Sequence, residues 1–130
     1  MAAIEEVIVS KLKAHAGLSA LVGTRVYPAP LPQRPTLPAV TYQRISTLPI
    51  GSRDAAKANF ERPRFQFDGW ALDVAGRAAL ADALRNALAT IQQASNPRVD
   101  VTLLQDARDF YEADSGRYRA ALDAFIWHEV

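Results

Sequence analysis

From Ile4 to Leu12 the apolar residues fall at i, i+3, i+4 and i+8, as Ile4, Val7, Ile8 and Leu12. That is the stripe of an amphipathic helix, and it predicts one over residues 3–15. Glu5 and Glu6 sit in its first turn and Lys11 and Lys13 in its last, as the helix dipole favours. His15 falls on the same stripe as Leu12, and Gly17 is a natural stop. Leu18–Val22 predicts a short helical turn closed by Gly23, and Arg25–Tyr27 a short strand.

The period then changes. In Ala39–Thr47, Val40 and Tyr42 alternate with Thr41 and Gln43, the two-residue period of a half-buried strand. Arg62–Leu72 alternates in the same way. Phe65, Phe67 and Gly69 share one face, while Arg64, Gln66, Asp68 and Trp70 share the other. Leu48–Phe60, "LPIGSRDAAKANF", has turn residues and no apolar period, and is expected to be a mobile loop over 48–60.

Asp73 is placed to cap a helix running to about Gln93, with Val74, Ala78, Ala81, Leu84, Leu88 and Ile91 as its buried stripe. Two long strands are then expected, Val99–Tyr111 and Tyr118–Glu129, around a turn at Asp114, Ser115 and Gly116. One face of the last strand reads Arg119, Ala121, Asp123, Phe125, Trp127. It begins polar and ends aromatic, so its far end is expected to be covered. The fold class that results is α+β. It has an antiparallel or mixed sheet of about four to five strands, with an N-terminal helix and a long central helix packed on one face. Residues 1–130 are read as one domain, a length that supports a single core.

Five of the eight prolines lie between Pro28 and Pro38, in "YPAPLPQRPTLPAVTYQRIS". Pro32–Pro35 and Pro35–Pro38 both satisfy the P-x-x-P spacing of a groove ligand. A strand on each side favours another role. Proline forbids helix and favours an extended crossing, so the run is expected to be a packed connector with Arg34 at its tip.

Composition narrows the class. About half the residues are apolar and 22% are charged, which is globular rather than disordered. There is no cysteine, hence no disulfide, thiolate zinc site or cysteine nucleophile. The start "MAAIEEV" is acidic where a signal peptide is basic, and no apolar run reaches the ~18 residues of a membrane span. The chain is therefore expected to be soluble and made in the cytoplasm.

Net charge is +1, but it is unevenly spread. Arg25–Arg64 holds seven basic residues against two acidic, and the remainder holds eight against twelve. Such a split suits self-association across opposite charges, or nucleic-acid contact through the basic part alone.

The search for chemistry finds no site. His15 and His128 are best explained by packing, and neither has further ligands at metal spacing. No zinc-protease, nucleophile-elbow or phosphate-loop motif occurs. Asp106, Asp109, Glu112 and Asp114 crowd together in "DARDFYEAD", but Asp106 and Asp109 would point to opposite faces of a strand. A solvated strand and turn account for them. The aromatics fall almost wholly in strands, with Arg64 and Trp70 the one hint of a nucleic-acid platform. No catalytic residue, cofactor or metal ligand is expected.

An ordered set of short motifs remains: "LSALVGTRVYP", "LPAVTYQRIS", "FQFDGWA" and "DARDFYEADSGRYRAALDAFIWHE". Together they resemble the tail-completion, or tail-terminator, proteins of long-tailed bacteriophages and prophages. The likeness rests on the Gly-x-Arg-Val-Tyr-Pro element at Gly23–Pro28 and the Leu-Pro-Ala-Val-x-Tyr-x-Arg element at Leu37–Arg44. It rests also on "YEADSGRYR", with Ser115 where Thr is common. Gly51–Glu61 matches no fixed pattern. The resemblance implies a subunit of a ring, usually of six, at the head-proximal end of the tail tube. The ring ends tube growth and presents the surface that joins the head. It implies no catalysis and no cofactor. The implied partners are other copies of the chain, the tail-tube protein and a head-side connector or stopper, with possible DNA contact in the lumen and no membrane. The implied location is the host cytoplasm during assembly and then the virion tail. Arg34, Arg44, Arg53, Lys57 and Arg64 are the candidate interface residues. The alternatives are a small nucleic-acid-binding module using residues 25–64, another head-tail connector, and, last, a small enzyme.

Overall fold

The computed structural model describes residues 4–50, 60–95, 97–103 and 107–129. Its elements in chain order are α1 (Ile4–Ala14), α2 (Ala16–Val22), β1 (Val26–Pro28), β2 (Ala39–Ile50), β3 (Phe60–Ala71), α3 (Val74–Ala89), β4 (Val99–Leu103), β5 (Arg108–Glu112) and β6 (Arg117–Glu129). The fold is α+β with a mixed sheet. The sheet has six strands rather than four to five, in the order β1-β2-β3-β6-β4, with β5 also pairing β6. All pairs are antiparallel except β1 with β2.

The extra strand arises at the sheet edge. Val99–Tyr111, expected as one strand, forms β4 and β5 on successive stretches of the same side of β6. Their registers differ by two, Val99 opposite His128 but Arg108 opposite Ala121. An even offset preserves which side chains face which way. Asp106 lies outside the described residues.

The strand ends also move. Leu48–Ile50 belong to β2 and Phe60 to β3, because the β2–β3 ladder continues to Ile50 opposite Phe60. A ladder supplies backbone hydrogen bonds that side-chain patterning does not reveal. The rest of the expected mobile loop, 51–59, lies outside the described residues.

Residues from all three helices join Val40, Phe65, Phe67, Leu122, Ala124 and Ile126 in one hydrophobic cluster. The helices do not cover the sheet evenly. α3 lies against β3 and β6, whereas α1 and α2 reach the sheet mainly at β1 and β2. The expected α3 stripe is buried in its second half, at Leu84, Leu88 and Ile91, whereas Val74 is 56% exposed and Ala78 is exposed, and Leu80 and Ala87 are buried in addition. Gly69 on β3 makes the room for Leu80. A Cβ there would stand 2.9 Å from Leu80 Cγ and Cδ2, so the missing side chain is the space that Leu80 fills. Asp73 caps α3, its Oδ1 accepting from Gly76 N at 2.6 Å. α3 ends at Ala89, short of Gln93.

The proline run is the crossing between parallel β1 and β2, as expected of a connector. Its ends are pinned: Ala29 N donates to Tyr42 O at 2.9 Å, and Arg25 Nε donates to Pro38 O at 2.9 Å. The peptide bonds to Pro30 and Pro38 are cis. The run is less packed than expected, since Pro30, Pro32, Gln33 and Arg34 are exposed. A crossing held at both ends needs no burial along its length.

The final turn is closed by Gly116, whose φ of 68° suits glycine and whose N–H donates to Glu112 O at 2.8 Å. His15 has a role that its place on the helix stripe did not suggest. It precedes α2 and caps it, Nδ1 accepting from Leu18 N at 3.1 Å. No helix among the described residues is long and apolar enough to cross a membrane.

Candidate assembly interface

Register fixes what each sheet face presents. Val40, Tyr42, Phe65, Phe67, Leu122 and Ala124 share the face that enters the core. The second face carries Arg62, Arg64, Gln66, Asp68 and Trp70 from β3, Arg119, Asp123, Phe125 and Trp127 from β6, and Arg108 and Phe110 from β5. Arginine and aromatic side chains thus interleave across three strands, far beyond the Arg64–Trp70 hint in the sequence.

Two buried carboxylates organise this face. Asp123 is 2% exposed in its side chain and accepts from Arg64 Nη2 at 2.5 Å, Arg64 Nε at 3.2 Å and Arg108 Nη2 at 3.3 Å. Asp68 is held by Arg119 Nη1 at 3.2 Å and Gln66 Nε2 at 3.1 Å. Burying a carboxylate is costly unless it is paired and hydrogen-bonded, so these arginines are partners the fold requires. Arg119 also lies 4.3 Å from the Phe110 ring centre and 5.5 Å from that of Trp70.

At the far end, Arg62 covers the aromatic residues of β6. Its guanidinium carbon is 4.5 Å from the Phe125 ring centre and 5.3 Å from that of Trp127. This is the cover that the pattern of β6 called for. Arg62 Nε is buried without a hydrogen-bond acceptor, and among the described residues no carboxylate pairs with Arg62.

The candidate residues do not form one patch. Arg34 is exposed at the tip of the proline crossing, with a φ of 53°. Arg44 is on the core side, paired with Glu5 of α1, 3.8 Å from Glu61 and over the Phe65 ring at 5.4 Å. Arg64 is on the second face. Arg53 and Lys57 lie outside the described residues. Sequence reasoning missed Arg62 and Arg119, whose signal was their place on the Arg64 face of β3 and the Trp127 face of β6.

Glu61 also meets His128 Nε2 at 3.4 Å, while His128 Nδ1 is 3.0 Å from Glu129 O. Beside Arg44, Tyr42 is raised above its ordinary value of 10.0, first by burial and then by the charge of Glu5. Among the described residues no three His, Cys, Asp or Glu side chains gather as a metal ion requires.

Comparison with known proteins gives this surface a context. No curated protein matches the chain. A solved chain from a structure titled as the virion of a native gene transfer agent (GTA) particle superposes with a TM-score of 0.73 at 23% identity. The match covers 95% of this chain and 92% of that one, and at this identity it speaks for the fold. The family model described as "Tail completion protein gp17" matches residues 6–129. With nearly its whole length matched, the chain belongs to the tail completion protein gp17 family, structural proteins of phage-type tails.

Proposed function

We propose that this protein closes the head-proximal end of a tail tube as a ring of copies, ending tube growth and offering the surface on which the head docks. The observation that carries the reading is the family match over residues 6–129. The second face supports it, because arginine and aromatic side chains half-exposed on a rigid sheet are the composition of protein contact surfaces. The expected ring number is six, and the role is architectural, with no reaction step and no cofactor.

The nucleic-acid alternative is favoured by the interleaving of arginine and aromatic side chains. It is weakened by Asp68 and Asp123, which take up Arg64 and Arg119 and place negative charge in the middle of the face.

The test is to add the protein to polymerising tail-tube subunits. Tube growth stops at substoichiometric protein under the capping reading. Unchanged tube lengths at saturating protein overturn it. Salt-sensitive binding to random-sequence DNA without any effect on tubes favours the alternative.

A further inference from the structure

β3 lies inside the sheet, between β2 and β6, yet it carries Pro63. Proline has no N–H to give to a ladder, and inner strands exclude it for that reason. The missing bond is on the β6 side. Pro63 keeps its place opposite Thr47 of β2. The β3–β6 register, by contrast, passes from Glu61 opposite His128 to Arg64 opposite Phe125, with no pair at Arg62 or Pro63. At the same level β2 is bulged, its register with β3 shifting between Arg44 and Ser46. A bulge leaves one residue unpaired and bends its strand. Both ladders of β3 are thus interrupted along one line, through Ile45 and Pro63.

Beyond that line, residues 46–50 and 60–62 make a two-stranded arm, paired as Leu48 with Arg62, Pro49 with Glu61 and Ile50 with Phe60. None of these residues belongs to the hydrophobic cluster. Two side chains tie the arm to the rest of the sheet, one on each face. On the core side Glu61 Oε2 lies 3.8 Å from Arg44 Nη1 and 3.4 Å from His128 Nε2, and Arg44 is itself paired with Glu5 of α1. On the second face Arg62 rests on the Phe125 and Trp127 rings. Partly exposed ion pairs and cation–ring contacts are weak, so they can part without disturbing the core.

We infer that this arm pivots as a unit about the Ile45–Pro63 line, keeping its β2–β3 pairs while it releases β6, and that Glu61 is the latch that holds it closed. The device is built into one chain and does not depend on the ring reading.

Alternation along β3 supplies the test. Backbone groups of successive residues in a strand point to opposite neighbours. Pro63 is the residue that fails to pair with β6, so the N–H groups of residues 61 and 65 face β6 and that of Arg62 faces β2. Amide hydrogen exchange at these three positions is followed by NMR and corrected for intrinsic rates. Residue 61 is expected to exchange faster than both Arg62 beside it and Phe65. Glu61→Gln speeds exchange at residue 61 by about two- to fivefold, the worth of partly exposed ion pairs. Pro63→Val supplies the missing N–H and slows it by about two- to tenfold, the worth of one hydrogen bond. Arg62 and Phe65 keep their rates in both variants. If residues 61 and 62 exchange at one rate and respond together, the strand ends unravel and the pivot is wrong. If neither variant changes the rate at residue 61, the latch and the hinge are both overturned.

Discussion

Arg64 donates to a single oxygen of Asp123 from two nitrogens, Nη2 at 2.5 Å and Nε at 3.2 Å, across the β3–β6 pair. The carboxylate is buried, whereas the arginine is 37% exposed in its side chain. The acid depends on the base more than the base depends on the acid. Asp123→Ala leaves two guanidinium groups facing each other without their shared anion. It is expected to lower stability by about 1–3 kcal/mol, the range for leaving a buried hydrogen-bonding group without its partner. Asp123→Asn keeps the shape and should cost less. Denaturant unfolding of the two variants checks the order.

Gly69 and Leu80 give a second prediction. Gly69→Ala places a methyl group where Leu80 packs and is expected to cost about 1–3 kcal/mol by overpacking. Leu80→Ala on its own opens a cavity and also destabilises. The double variant should be more stable than the sum of the two effects allows, because the new methyl group occupies part of that cavity. A double-mutant cycle in urea measures the coupling. Strict additivity would mean that Leu80 does not occupy the space above Gly69.

Asp73 closes the first turn of α3 through Gly76 N. Asp73→Ala is expected to cost about 1 kcal/mol, and Asp73→Ser much less, since serine caps as well. The midpoint of thermal unfolding distinguishes the two.

Tyr42 makes a prediction about alkaline pH. Its phenol is held above 10.0 in the folded chain by burial and by Glu5. Above that pH the unfolded chain gives up the proton while the folded chain retains it. The tyrosine's contribution to stability is therefore fully present below the unfolded value and is lost as pH rises through the folded one. Stability should be flat in this respect up to about pH 9 and then fall. Tyr42→Phe should make the fall shallower, read from urea midpoints at a series of pH values.

Much of this fold is legible in residue order. The Ile4–Leu12 stripe became α1, the Phe65–Phe67–Gly69 face entered the core, and Asp73 capped the helix it was expected to cap. The misses share a cause. Strand ends at Ile50 and Phe60, the split of β4 from β5 and the burial of Leu80 in the α3 stripe are all set by cross-strand or cross-layer partners. A one-dimensional period does not contain these. The second face was partly legible. Alternation placed Phe125 and Trp127 on one side and implied a cover, but register alone shows that Arg62 provides it. The charge split was visible as a count along the chain, yet several of the basic residues counted are spent on internal partners, Arg25 on Pro38 O, Arg44 on Glu5 and Arg64 on Asp123.

The central claim is that copies of this chain form a ring at one end of a tail tube. Negative-stain imaging of tail-tube polymers mixed with gold-labelled protein tests it directly. The account predicts label at a single end of each tube, on a ring about as wide as the tube, with longer growth absent from labelled ends. Label scattered along tube walls, or tubes with both ends bare at saturating protein, would contradict it.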